Sequence, residues 1–379
     1  MAAEETVRRL DLPVAGPSSS SSVLIGAGRL DDPPADLLEL IEGRQVFVLT
    51  SAELVPLLRK RLATLLEAAG AIVELDDVPD GEDAKTVAVA GGLWERMLAE
   101  GGKRDSLLVT LGGGSIGDLG GFVAGCFLRG IDFIQVPSTL LAQVDASIGG
   151  KTAVDLPGGK NTVGRFHHPR FVVADTTLLA TLPSGELRSG LVEAIKMAAL
   201  LDVPMFERLE AKLDDCLAGD AEVLAQVVAD SARAKCLVVE QDPEERLGRR
   251  QVLNFGHTLG HAIEKELGYG VLRHGEAVAY GMLFAVRLAQ RLGLLGGDLA
   301  PRLHRMLKRL EMPALPTSEL AVEPLIETMA KDKKALASGL VWVLPRALGA
   351  DALKRVDSDV VRSELAPFLD DPWALPSGG

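Results

Sequence analysis

The stretch Asn254-Phe255-Gly256-His257-Thr258-Leu259-Gly260-His261, followed by His274-Gly275-Glu276, gathers three of the chain's six histidines into one short interval. His257 and His261 stand four residues apart, a spacing at which a helix places both side chains on one face. Paired imidazoles at that spacing bind divalent metals in several enzyme motifs, so the first chemistry to consider is a metal centre held by His257 and His261. A polar helix face that merely carries two histidines accounts for the same spacing. The rest of the chain has to separate the two.

A second candidate is Leu111-Gly112-Gly113-Gly114-Ser115-Ile116-Gly117-Asp118, whose glycines at 112, 114 and 117 satisfy G-x-G-x-x-G. It directly follows an apolar run and opens a helical stretch, where backbone N–H groups and the helix dipole favour a pyrophosphate. Glycine-rich turns without a ligand are common. The loop also follows the third expected strand, and no ribose-binding acid is evident about 20 residues on, so a dinucleotide here implies a variant of the usual fold. Between Arg129 and Asn161 the chain sets Arg129, Asp145, Lys151, Lys160 and Asn161 among glycines. Ser147–Thr152 and Pro157–Asn161 read as turns that each present a lysine. With Lys235, Arg249, Arg250, Lys331, Lys333 and Lys334 downstream, these cations fit a small molecule bearing a phosphate and a carboxylate. Lys331-Asp332-Lys333-Lys334 reads equally as a solvated charge run.

The elements that would position these groups fall into two classes. Short runs rich in valine, isoleucine and leucine predict strands at Gln45–Leu49, Ala71–Leu75, Ser106–Leu111 and Asp132–Val136, alternating with helices near Leu54–Ala69, Asp83–Ala99 and Gly117–Cys126. That alternation implies parallel strands, right-handed crossovers and a doubly wound α/β domain of nucleotide-binding type. From Leu182-Pro183-Ser184 onward long helical segments take over: Glu186–Leu201, Pro204–Leu217, Ala221–Glu240, Thr258–Leu267, Glu276–Leu292 and Leu299–Leu310, with one late strand at Val341–Leu344. The expected division is a flexible lead-in over residues 1–22, an α/β domain over 23–182 and a mainly helical domain over 183–379.

Bulk properties narrow the function. At 379 residues, 47% of them hydrophobic, the chain has material for two cores. A net charge of −13 argues against nucleic acid or an anionic membrane as partner, while leaving room for a small anion held by converging lysines and arginines. Three scattered cysteines, Cys126, Cys216 and Cys236, make neither a disulfide framework nor a thiolate metal site and fit a reducing, cytoplasmic compartment. No run approaches a membrane span, and Met1 to Ser22 has no apolar leader core.

Taken together, Pro79–Lys85, Gly112–Gly121, Pro137–Val154, Gly159-Lys160-Asn161, Leu191–Lys196, Asn254–Glu264 and His274–Ala279 resemble the 3-dehydroquinate synthase family of sugar phosphate cyclases, over about Val46 to Gly349. The resemblance implies an N-terminal NAD-binding domain, a helical C-terminal domain, a homodimer and zinc or cobalt as metal. By the same resemblance the metal ligands fall on Glu193, His257 and His274. His261, Asn254, Asn161 and Lys333 or Lys334 fall around a substrate phosphate, and Arg129 reaches it from the partner subunit. Lys151 and Arg250 meet a carboxylate, while Asp145, Lys196 and Lys235 contact hydroxyls or support the metal site. Cofactor contacts carry over to Glu82, Lys85, Gly113, Gly114, Ser115, Asp118, Ser138, Thr139, Lys160, Thr181 and Leu182.

The implied reaction converts 3-deoxy-arabino-heptulosonate 7-phosphate to 3-dehydroquinate. It proceeds by transient oxidation, β-elimination of phosphate, reduction and intramolecular aldol closure, without net redox change. The leaving phosphate can itself take the proton. Thr50-Ser51-Ala52 stands where the family often carries Asp or Asn, which leaves NAD against NADP open. Two other enzyme classes share features of the chain. Metal-dependent alcohol or glycerol dehydrogenases have no use for Lys151, Lys235 and Arg250 together. Cyclitol-forming cyclases would be expected to lack one or more of Lys235, Arg250, Asn254 and His261, all of which are present. A non-catalytic family member kept as a binding protein is the remaining alternative.

Overall fold

The computed structural model describes residues 8–13, 20–52, 55–332 and 339–374. They belong to two compact units, Met1–Leu182 with Gly219–Glu244, and Pro183–Ala218 with Glu245–Gly379.

The first unit is built on a sheet whose strands are β1 (Arg8–Pro13), β2 (Ser20–Gly26), β3 (Gln45–Ser51), β4 (Ala71–Val78), β5 (Leu107–Gly112), β6 (Asp132–Pro137) and β9 (Phe171–Asp175), in the order β1-β2-β9-β6-β5-β3-β4. All neighbours run parallel except β1, which closes one edge antiparallel to β2. The helices α1 (Ala35–Ile41), α2 (Val55–Leu66), α3 (Val87–Ala99), α4 (Gly114–Cys126) and α7 (Ala221–Gln241) complete this unit together with a hairpin, β7 (Lys151–Leu156) and β8 (Gly159–Phe166).

The central strands are mostly apolar because both faces are covered. Val46 and Val48 of β3 pack with Leu37, Ile41, Leu62 and Leu65 on one side. Phe47 and Leu49 pack with Leu93, Met97, Leu119 and Val123 on the other. Strand β3 leads to β4 on one side and has β5 on the other, so strand order reverses there. The carboxyl ends flanking such a reversal form the crevice where α/β sheets bind ligands. The glycine loop lies at this end of β5. Helix α4 runs close across the sheet: a Cβ at Gly120 would stand 2.1 Å from Thr110 Cγ2, and one at Gly117 1.8 Å from the Gln135 amide.

The second unit is mainly helical, with α5 (Ser184–Leu201), α6 (Val203–Leu217), α8 (His257–Leu267), α9 (His274–Arg291), α10 (Leu299–Arg309), α11 (Val322–Asp332) and α12 (Ser358–Asp370) around a hairpin of β10 (Leu340–Ala347) and β11 (Ala350–Val356). Helix α5 is buried from Ser189 to Leu200 and α9 from Gly275 to Val286, as expected of helices at the centre of a bundle.

Several expectations need correction. The lead-in over residues 1–22 contains β1 and the start of β2. Ser21 and Ser22 are buried strand residues: Ser22 Oγ accepts from Arg9 Nη2 (2.9 Å) and donates to Asp11, so polar cross-strand bonds replace the apolar alternation that would have announced a strand. The helix expected from Asp83 starts at Val87, after a 3₁₀ turn at Gly81–Ala84, because Thr86 caps it by accepting from Val89 N (3.1 Å). The two lysine-bearing turns are the flanks of the β7–β8 hairpin, with Lys151 and Lys160 on its strands. Helix α7, expected in the helical domain, belongs to the first unit, where it packs on β1, β2 and the turns at 142–146 and 176–181.

Candidate active site

In the second unit three helices deliver the metal-type ligands. Helix α5 carries Glu193 and Lys196 one turn apart, both buried, with the ammonium against the carboxylate. Helix α8 opens on His257 and places His261 on the same face, and α9 opens on His274. The helices approach at glycines. A Cβ at Gly281 of α9 would fall 1.8 Å from the Gly256 carbonyl oxygen, and one at Gly275 2.2 Å from the Ser189 carbonyl oxygen on α5.

A ligand atom from each of His257, His261 and His274 lies within 4.8 Å of the others. Glu193 Oε1 stands 3.8 Å from His274 Nε2 and 4.0 Å from His257 Nε2. The far side of two rings is already committed. His257 Nδ1–H donates to the Phe255 carbonyl (3.2 Å) and His274 Nδ1–H to Glu264 Oε2 (3.1 Å), which leaves each Nε2 facing Glu193. Burial, then Lys196 and the two other histidines, hold His257 well below the usual imidazole range and keep it neutral. Burial also presses His274 down, but its hydrogen bond to Glu264 and the charges of Glu264 and Glu193 carry it above that range. Three imidazoles and a carboxylate are a donor set for a zinc-like or cobalt-like divalent ion, so the residues present fit such a metal. Arg250 is buried in the 3₁₀ segment Arg249–Asn254, which also carries half-buried Asn254. Lys333 and Lys334 lie outside the described residues.

The first unit gathers a separate polar cluster around the glycine loop. Gly113 caps α4, Ser115 Oγ donates to Glu82 Oε1 (2.7 Å), and Lys85 Nζ donates to both Asp118 Oδ2 (2.9 Å) and Asn161 Oδ1 (2.6 Å). Lys160 Nζ lies 3.5 Å from Glu82 Oε2. Burial disfavours the Lys85 charge, but Asp118 and Glu82 outweigh it and raise its pKa; burial raises Asp118 despite Lys85. Ser138 N donates to the Gly112 carbonyl (2.9 Å), and a Cβ at Gly113 would stand 3.3 Å from Thr139 Cγ2, so both residues adjoin the loop. Asp145 and Lys235 form an ion pair, with Lys235 Nζ also donating to the Asp145 carbonyl (2.5 Å). Thr181 and Leu182 end a 3₁₀ segment capped by Asp175. Lys151 is exposed at the start of β7, and exposed Arg129 stands in a strained turn with φ 73°, between Leu128 at 49° and Gly130 at 117°.

Two functional candidates escaped the sequence reading. Glu264 falls on the His257–His261 face, seven residues beyond His257, and that periodicity was a usable signal. Asp155, half-buried in β7, accepts from Asn161 N (2.6 Å), and nothing in its spacing announced it.

Comparison with known proteins now bears on these clusters. The 3-dehydroquinate synthase N-terminal family matches residues 76–189, and the 3-dehydroquinate synthase C-terminal family matches residues 190–335. A 3-dehydroquinate synthase of Xylella fastidiosa is 45% identical over 353 residues, covering 91% of this chain and 95% of the relative. The chain belongs to the 3-dehydroquinate synthase family. Among solved structures, a 2-deoxy-scyllo-inosose synthase complexed with carbaglucose-6-phosphate, NAD+ and Co2+ superposes with a TM-score of 0.84 at 26% identity, over 94% of this chain and 98% of that one. A 2-epi-5-epi-valiolone synthase from Streptomyces hygroscopicus, with NAD+ and Zn2+ bound, does so with a TM-score of 0.82 at 25% identity, over 94% and 99%. The doubly wound sheet and the helical second unit are thus the architecture of this family. No helix among the described residues is long and apolar enough to cross a membrane.

Proposed function

We propose that the chain is a 3-dehydroquinate synthase, converting 3-deoxy-D-arabino-heptulosonate 7-phosphate to 3-dehydroquinate and phosphate with NAD and a divalent metal. The observation that carries this reading is the buried Glu193–His257–His274 cluster in a chain 45% identical to a 3-dehydroquinate synthase. When bound, the dinucleotide supplies reversible hydride transfer and the metal supplies Lewis acidity toward a substrate oxygen.

The chain's own residues do the rest. Glu193, His257 and His274 hold the metal; Phe255 O and Glu264 fix the tautomers of the two imidazoles that serve it. Lys196, paired with Glu193, balances the carboxylate's charge in a buried setting and reaches a substrate hydroxyl. His261, the most exposed ring of the three, turns with Asn254 and Asn161 toward the phosphate, joined by Lys333 or Lys334. Holding the phosphate in place orients the leaving group, whose own oxygen can take the proton lost in elimination. Arg250 and Lys151 take the substrate carboxylate, a role suited to a buried guanidinium. The Asp145–Lys235 pair contacts ring hydroxyls. Glu82, Lys85, Gly113 to Ser115, Asp118, Ser138, Thr139, Lys160, Thr181 and Leu182 hold the dinucleotide, with Gly113 capping α4 at its N-terminus. The working protein is a homodimer in the cytoplasm, each Arg129 serving the partner's phosphate. The strained backbone that presents Arg129 supports the first statement, and a set of three scattered cysteines, too few for a disulfide framework, the second.

The direct test supplies the protein with NAD, a divalent metal and the heptulosonate phosphate. Inorganic phosphate should be released while NADH does not accumulate. Steady NADH formation with simple alcohols, and no phosphate release, would overturn the assignment.

A further inference from the structure

We propose that Asp155 is a positioning residue: its carboxylate fixes Asn161 at the start of β8 while its backbone ties the hairpin to Lys85, so that Lys85, Lys160 and Asn161 stand ready for dinucleotide and phosphate. This rests on the reading of Lys85 and Lys160 as cofactor contacts. Pairing with β7, the packing of Val163 on the apolar core and the bond from Arg165 to the Gly125 carbonyl hold the far half of the outer strand, which leaves its start at Lys160 and Asn161 to be placed by other ties. Along β8 Asn161, Thr162, Gly164, Arg165 and Phe166 are exposed, so the strand buries little apolar surface and its placement depends on polar ties.

Asp155 supplies two of those ties, one through its side chain and one through its backbone. Its Oδ1 accepts the backbone N–H of Asn161 (2.6 Å), and its own N–H donates to the Lys85 carbonyl (2.7 Å), next to a parallel bridge with Thr86. Asn161 holds φ at 54°, a left-handed conformation that asparagine tolerates better than most residues with a side chain and that the bond to Asp155 holds in place. That conformation presents Asn161 Oδ1 to Lys85 Nζ (2.6 Å), the same ammonium that donates to Asp118 (2.9 Å). The result is a closed ring: Asp155 carboxylate to Asn161 amide, Asn161 side chain to Lys85 ammonium, Lys85 carbonyl to Asp155 amide. Removing the carboxylate frees Asn161 to leave the left-handed region, takes an acceptor from Lys85 and lets neighbouring Lys160 drift from Glu82.

Calorimetric titration of the full-length protein with NAD, beside melting temperatures, tests this on the parent, D155A, D155N and K85A. D155A should bind NAD about tenfold more weakly, whereas D155N, whose Oδ1 still accepts from the Asn161 N–H, should stay within about threefold of the parent. K85A should also bind more weakly. Rescue by D155N separates positioning from mere structural support, because both replacements remove the charge and only one removes the acceptor. An unchanged D155A beside a weakened K85A would refute the role of Asp155 and leave the cofactor assignment standing. A K85A that binds NAD like the parent would remove that assignment and the proposal with it. Should D155A fail to fold, D155N decides: an affinity loss of about tenfold at an unchanged melting temperature overturns the hydrogen-bond argument.

Discussion

Replacing Glu264 by alanine should weaken metal binding without unfolding the protein. Glu264 is 5% exposed and accepts from His274 Nδ1 at 3.1 Å, so its loss leaves the His274 N–H without that acceptor and removes the bond that aims Nε2 at Glu193. A hydrogen bond to a charged group contributes about 1.5–3 kcal/mol, and removing the outer partner of a ligating histidine typically costs about ten- to a hundredfold in metal affinity. Since each tenfold is about 1.4 kcal/mol, the two estimates agree on roughly 1.4–2.8 kcal/mol. The 3.1 Å separation is ordinary rather than short, which places the expected loss near the middle, about thirtyfold. Glu264→Gln keeps an acceptor oxygen and loses the charge, so its loss should be smaller. Competition of the apoprotein against a chelator for Zn2+ or Co2+ measures both, with far-UV circular dichroism to confirm the fold. A folded Glu264→Ala variant whose metal affinity stays within about twofold of the parent would show that the bond does not set the ligand's aim, and the reasoning fails.

Three further outcomes are expected. Glu193→Ala should lose metal and turnover together, whereas His261→Ala should lose turnover with metal retained; metal analysis after gel filtration checks both, and metal loss in His261→Ala would restore the pairing of His257 with His261. Gly281→Ala should destabilise by about 3 kcal/mol or more, at the upper end of overpacking costs, because its Cβ would stand 1.8 Å from a backbone oxygen that no rotamer change can move; an unchanged calorimetric melting temperature would contradict the close α8–α9 contact. Burial pushes the Cys236 thiol up to about 11. Its thiolate is therefore scarce at pH 8 and grows as pH rises toward that value, so iodoacetamide followed by mass spectrometry should label exposed Cys126 first; equal labelling of the two would refute the burial argument.

Legibility in the sequence followed burial. Strands β3, β5 and β6 are covered on both faces, so Val46–Leu49, Leu107–Leu111 and Phe133–Val136 read as apolar runs. Strands β1, β2 and β8 were hidden because edge pairing uses side chains such as Arg9, Asp11 and Ser22, or leaves a strand exposed as in Asn161–Phe166. The amphipathy of α7 showed that it buries one face, and could not show that this face belongs to β1 and β2. In the site, the histidine pair was visible from spacing alone. Glu193 was not, since it sits with Lys196 inside a buried helix that is otherwise apolar from Leu191 to Leu200, and only family likeness singled it out. Asp155 acts through backbone atoms, which no residue spacing encodes.

The placement of α7 has a consequence for how the protein is made. The chain leaves the first unit at Leu182, returns at Gly219 and leaves again after Glu244, so the first unit is not a contiguous segment. Lys235, which pairs with Asp145, is synthesised ninety residues after its partner, with α5 and α6 emerging from the ribosome in between. The nascent α/β half must therefore wait, with the faces of β1 and β2 that α7 covers still open to water, until a helix of the later-made region arrives. Neither unit can be exchanged between relatives by a single crossover, and a fragment ending at Leu182 would carry the glycine loop but lack the helix that closes its sheet.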